Sequence, residues 1–127
     1  MRNGRCETQM STLIVAQPGP LRDGIEALLA SVPRVQVIGE EASIKGAMRT
    51  PTCSVDLLLV DGSYPEEQIR RLLRRCLTAC PNMRSIVFAN NSRQVEQAHR
   101  LEVDAVFMTG RRPAQFVTMV EELLVAG

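Results

Sequence analysis

The chain has no tryptophan, one tyrosine and three phenylalanines in 127 residues. So sparse an aromatic set leaves no row of platforms on which single-stranded nucleic acid could stack. Neither sign of charge is in excess: fifteen basic residues against fourteen acidic ones give a formal net charge of +1. That balance excludes a protein that wraps a polyanion by neutralising its phosphates. No stretch approaches the roughly 18 consecutive apolar residues of a membrane span, and residues 1–10 lack the apolar centre of a secretory signal. They read as a flexible lead to a single domain over residues 11–127, with no membrane partner. Four cysteines, Cys6, Cys53, Cys76 and Cys80, are too few and too irregular to staple a domain of this size, so a reduced, cytoplasmic protein is the expectation. Lysine is nearly missing as well. Lys45 is the sole lysine, which leaves fourteen arginines among the fifteen basic residues.

What is present is a rhythm. Five short apolar runs recur about every twenty residues: Leu13–Ala16, Val35–Ile38, Val55–Val60, Ser85–Phe88 and Ala105–Met108. Most are continuous, the pattern of strands covered on both faces. Segments of helical period separate them: Leu21, Ile25, Leu28 and Leu29 behind Pro20; Ile69, Leu72, Leu73 and Cys76 behind Pro65; Val95, Ala98 and Leu101 behind a Ser92 cap; Phe116, Met119, Val120, Leu123 and Leu124 behind Pro113. The segment Ala42–Met48 is weaker, because Gly46 interrupts it. Five strand–helix repeats predict an α/β domain, a doubly wound parallel five-stranded sheet with helices on both faces.

In such a sheet ligands bind beyond the carboxyl ends of the strands. There the sequence offers Ala16 and Gln17 after the first run, Asp61, Gly62 and Ser63 after the third, Ala89 and Asn90 after the fourth, and Thr109 and Gly110 after the fifth. Asp61 is the only carboxylate, which is poor provision for catalysis. Pro18 and Pro20 each remove a backbone donor from what would be a phosphate loop, and no GxGxxG or Walker pattern occurs. His99, the one histidine, falls inside a helical segment and reads as a surface residue. Cys76 and Cys80 supply two thiols where a tetrahedral zinc needs four ligands, so they read as small buried apolar groups. Glu66 and Glu67 precede Arg70 and Arg71 by one turn and form ordinary helix-surface pairs; Arg74 and Arg75 are left over, for solvent or an acidic partner.

The order of these pieces resembles the receiver domain of bacterial response regulators, and more closely the receivers of LuxR/NarL-type transcription factors. The resemblance runs from Thr12 to Leu124. It rests on Leu13-Ile14-Val15, on Arg22-Asp23-Gly24-Ile25 with Leu28-Leu29, on Val37-Ile38-Gly39-Glu40, and above all on Asp56-Leu57-Leu58-Leu59-Val60-Asp61 followed by Gly62-Ser63-Tyr64-Pro65. It implies the flavodoxin-like strand order 2-1-3-4-5 and makes Asp61 the equivalent of the phosphoacceptor, with Ser63 as the carbonyl ligand of a magnesium ion.

The remaining family positions are changed. The metal-holding acid pair falls on Ala16 and Gln17, the phosphoryl-binding hydroxyl on Ala89, the switch lysine on Thr109, and the switch aromatic on Val106 with Phe107 next to it. Magnesium wants hard oxygen ligands with at least one or two carboxylates, so its binding is expected to be weak or absent and no cofactor is implied. The resulting expectation is a degenerate, non-enzymatic receiver-like domain in bacterial signal transduction and transcription regulation, acting by protein–protein contact or as a homodimer. The face near Gln94, Gln97, Arg100, Arg111 and Arg112 corresponds to the family's common dimerisation surface. DNA would be contacted only through an output domain outside this chain. Two rivals stand beside it: a working phosphoacceptor modified on Asp61 by a histidine kinase, and a small-molecule sensor using the vacated pocket of Ala16, Gln17, Ser63, Ala89 and Thr109.

Overall fold

The computed structural model describes residues 9–49 and 54–126, the last three of these by backbone alone. The expected lead over residues 1–8, Cys6, Cys53 and the Leu124 side chain lie outside the described residues. Elements alternate strictly: β1 (Met10–Val15), α1 (Pro20–Leu29), β2 (Val35–Glu41), α2 (Ile44–Arg49), β3 (Leu57–Asp61), α3 (Glu66–Ala79), β4 (Arg84–Ala89), α4 (Ser92–Arg100), β5 (Ala105–Met108) and α5 (Pro113–Ala126). The strands form one parallel sheet in the order β2-β1-β3-β4-β5, as the five repeats and the resemblance predict.

Strand alternation divides the core into two leaves. Leu13, Val15, Leu58 and Val60 face α2, α3 and α4, where Ile69, Leu72, Leu73 and Cys76 arrive at helical spacing. Ile14, Leu57, Leu59, Ile86 and Phe88 face α1 and α5, meeting Ile25, Leu29, Phe116 and Val120. Fully burying one such side chain stabilises by about 1.5–3 kcal/mol, whereas an exposed ion pair on α3 adds a few tenths at most. The leaves therefore hold the fold, and the arginines decorate it. All three phenylalanines stand in the second leaf, Phe88, Phe107 and Phe116, with ring centroids 5.3–5.7 Å apart.

Several boundaries differ from the sequence reading. Met10 is not part of a lead: it is buried and opens β1. Residues 35–38 are not covered on both faces, because β2 is an edge strand, and Val37 and Ile38 are 40% and 42% exposed. The cap of α4 is Asn91 rather than Ser92, its side-chain oxygen accepting from the Gln94 N–H at 2.9 Å. The helix containing Gly46 forms from Ile44 to Arg49, helped by the Ser43 hydroxyl, which accepts from the Gly46 N–H at 2.9 Å. Pro20 and Pro113 do open α1 and α5. Cys76 and Cys80 are buried, and burial pushes the Cys76 thiol up to about 11, with Cys80 adding to the rise and Arg75 opposing it.

Candidate functional site

The carboxyl ends of the strands bring Ala16, Asp61, Ala89 and Thr109 to one edge of the sheet. Asp61 closes β3, paired in register with Phe88, and its Oδ1 accepts from the Ser63 N–H at 2.9 Å. That bond folds the carboxylate over its own loop. Gly62 follows because nothing larger fits: its N–H donates to the Phe88 carbonyl at 2.8 Å, and a Cβ there would meet the same oxygen at 2.8 Å. Ala89 is fully buried at the end of β4, and its carbonyl accepts from the Thr109 N–H at 2.9 Å. The Thr109 hydroxyl is turned to the Asn90 side chain, donating to its Oδ1 at 3.0 Å and tying the loop after β5 to the loop after β4.

Arg22 is the residue that sequence reasoning missed as part of this edge. From the first turn of α1 its guanidinium donates through Nε at 3.0 Å and through a terminal nitrogen at 2.7 Å to the carbonyl of Ala16. The side chain is only 14% exposed and also pairs with Glu40 at 3.4 Å. Glu26 completes the group. Its carboxyl is held above the usual value chiefly by a hydrogen bond with Glu40, then by burial and the Glu40 charge, with Arg22 opposing. Tyr64 stands next to Asp61: its hydroxyl donates to the Ala42 carbonyl at 2.7 Å, and its pKa is raised by burial first and by the Asp61 charge second, again with Arg22 opposing. A guanidinium thus caps the backbone carbonyl of Ala16 at the end of β1. The signal was in the sequence, since an arginine two residues into a helix that follows a strand can reach back to the strand's last carbonyl, but nothing in the spacing said that it would.

The donor set does not suit magnesium. Ala16 offers a carbonyl already engaged by a guanidinium, and Gln17 is exposed. The sequence suggested Asp61 as the only carboxylate at the strand ends; it is not, because β2 runs on to Glu40 and Glu41, and Glu40 is taken up by Arg22. Among the described residues no group of three or more histidine, cysteine, aspartate or glutamate side chains is arranged to hold a metal ion.

The other candidate residues are scattered. The five pocket positions do not line one cavity: Ala16 and Ala89 are buried, Gln17 and Ser63 are exposed, and only Thr109 borders the hollow beside this edge. Of the five residues on the expected interaction face, Gln94 turns inward and accepts from the Asn90 N–H at 2.8 Å. Arg100 reaches the other way, donating to Glu66 on α3 at 2.8 and 3.3 Å. Gln97 is half-buried, and Arg111 and Arg112 are exposed in the loop before α5. Val106 is half-buried and Phe107 is locked in the core. His99 is exposed on α4.

No family profile and no curated protein matches the chain. Solved structures do. The RcsB response regulator of Salmonella typhimurium superposes with a TM-score of 0.75 at 18% identity, over 93% of this chain and 60% of that one. The isolated REC domain of RcsB from Salmonella enterica serovar Typhimurium, determined with the phosphomimetic BeF3-, gives 0.73 at 20% identity over 94% and 90% of the two chains. A protein described as pilus assembly-related, from Burkholderia pseudomallei, gives 0.75 at 14% identity over 93% and 91%. The chain has the receiver-domain fold, and it spans 60% of the length of the RcsB regulator.

Proposed function

We propose that this receiver-fold domain is an atypical response-regulator module of bacterial signal transduction and transcription regulation, working in the cytoplasm by protein–protein contact, with itself or a partner, and without magnesium-dependent phosphorylation. The observation that carries this reading is the Arg22 guanidinium on the Ala16 carbonyl, 2.7 Å away at the end of β1. The guanidinium, itself paired with Glu40, occupies the carbonyl at that strand end, and the acid pair that would hold a divalent ion is replaced by Ala16 and Gln17. A phosphoryl group on Asp61 would add negative charge with neither the metal nor the lysine to offset it. The Thr109 hydroxyl is already engaged with Asn90. Asp61 has an ordinary occupation, accepting from the Ser63 N–H, and no second catalytic group accompanies it. Contact with DNA, as in the solved complex of RcsB with DNA, belongs in this reading to an output domain outside the chain.

The test is incubation of the protein with acetyl phosphate or beryllofluoride and magnesium, followed by intact-mass measurement and amide NMR. The expected result is no mass gain and no shift at Asp61, and the same spectra for Asp61→Asn. A gain that Asp61→Asn abolishes overturns the reading and makes the domain a phosphoacceptor for a histidine kinase. Sedimentation of the full chain tests the other half, since self-association through this domain is expected to persist in Asp61→Asn unchanged.

A further inference from the structure

Between α1 and the loops that follow β4 and β5 the structure forms a half-open hollow of about 430 Å³, a volume in the range of small-molecule sites. Its lining is apolar: Leu21 and Leu28 from α1 present part of their side chains over the buried Ile25, Phe88 from β4 and Phe107 from β5. The two rings meet edge to face and both pack on Phe116, so the floor is rigid. Its rim is polar, formed by Asn90, Thr109 and Arg111, with the Thr109–Asn90 hydrogen bond holding the two loops together. Among the described residues no carboxylate lines the cavity, and Arg111 is its one charged side chain. Arg111 is exposed and pairs with none of the carboxylates among the described residues. It stands on the ridge between this cavity and a hollow on the α4 side, within reach of either.

Gly24 adds an independent observation. It lies in the interior of α1, where glycine weakens a helix relative to alanine, and it lines the cavity. A Cβ at this position would meet nothing within 4 Å, so the packing of the chain itself does not require glycine there. The missing side chain leaves the mouth of the cavity open.

We infer that this cavity is a binding site for a small amphipathic anion, its apolar body against Leu21 and Leu28 above the buried Phe88 and Phe107, and its single negative group paired with Arg111. Apolar contact supplies the burial, and the charge-assisted hydrogen bond to the guanidinium fixes which end faces out. The site touches α1 and both loops at once and stands apart from Ala16 and Asp61, so it does not depend on whether Asp61 is ever phosphorylated.

The test uses the anionic fluorophore 8-anilinonaphthalene-1-sulfonate on the folded chain. One saturable site is expected, with amide shifts concentrated around Gly24, Asn90, Thr109 and Gly110. Decanoate is expected to displace the fluorophore, and decan-1-ol at the same concentration is not. Arg111→Gln, in an exposed loop that leaves the core intact, is expected to weaken binding of both anions by about tenfold. Gly24→Leu is expected to close the mouth and remove binding, with circular dichroism and the melting temperature confirming that α1 still forms. Absence of saturable binding, displacement by decan-1-ol equal to that by decanoate, or a loss below about threefold in Arg111→Gln overturns the proposal.

Discussion

At the edge of the sheet where the strands begin, two carboxylates accept strand N–H groups: Asp56 from Ser11 at 2.9 Å and Asp104 from Ser85 at 2.8 Å. At the edge where the strands end, a guanidinium donates to a carbonyl, Arg22 to Ala16. Each ladder stops with a backbone group that needs a partner, and side chains of opposite sign meet the two needs. Asp104 is doubly fixed, since the Ser85 hydroxyl also lies 3.4 Å from its Oδ2. Asp61 is the exception at the second edge. Among the described residues its carboxyl group accepts only from an N–H two residues on. The first edge is a finished structural seam. The second carries an Arg22–Glu40 pair, the Asp61 carboxylate and an open cavity, which is why the chemistry of the molecule is sought there.

The largest effect that can sharpen this contrast comes from beneath the second edge. Phe88→Ala removes a fully buried ring from the cavity floor and is expected to cost about 3–5 kcal/mol in urea unfolding. A small loss would mean that the edge has no rigid base. Arg22→Ala leaves the Ala16 carbonyl and Glu40 without their cation and is expected to cost about 1.5–3 kcal/mol. Arg22→Lys should recover only part of this, because one ammonium replaces a two-pronged donor.

Next comes the direct comparison of carboxylates. Asp104→Ala strands the buried Ser85 N–H and is expected to cost about 1–2 kcal/mol, whereas Asp61→Ala stays within about 0.5 kcal/mol because its bond is local and exposed. Equal losses would break the contrast between the edges.

The smallest effect lies away from both. The Glu66 carboxyl is held below its ordinary 4.5 chiefly by the hydrogen bond from Arg100; burial opposes this, and the charges of Arg100 and Arg70 add to the lowering. A lowered pKa in the folded state stabilises above the unfolded value, and that contribution disappears as pH falls through the folded value. Arg100→Gln should therefore lower the melting temperature slightly at pH 7. Its difference from the parent should begin to shrink as pH falls below about 4.5 and vanish only below the lower folded value, as thermal melts across pH would record.

The fold was legible because its signal is repeated. Five apolar runs with helical segments between them leave few ways to bury both faces of a parallel sheet, and Pro20 and Pro113 mark helix starts by their own geometry. Edge exposure was not legible: Val35–Ile38 reads like the other runs, and its position at the rim depends on which strand pairs with which. Asp61 stood out as the one carboxylate after a strand. Arg22 did not, although it was part of the same family-like segment as Gly24, because an arginine's partner is set by where its long side chain comes to rest.

By itself the sequence determined the class of fold, the residues that stand at the strand ends and the near balance of charge. These follow from residue identity and spacing, which no packing can alter. Only the tertiary structure decided that Ala16 is capped by Arg22, that Gln94 and Arg100 are committed within the chain, and that the open space lies over Phe88 and Phe107 rather than between Ala16 and Ala89. Those outcomes depend on contacts between residues far apart in sequence, where direction and distance are fixed only once the two leaves of the core have closed.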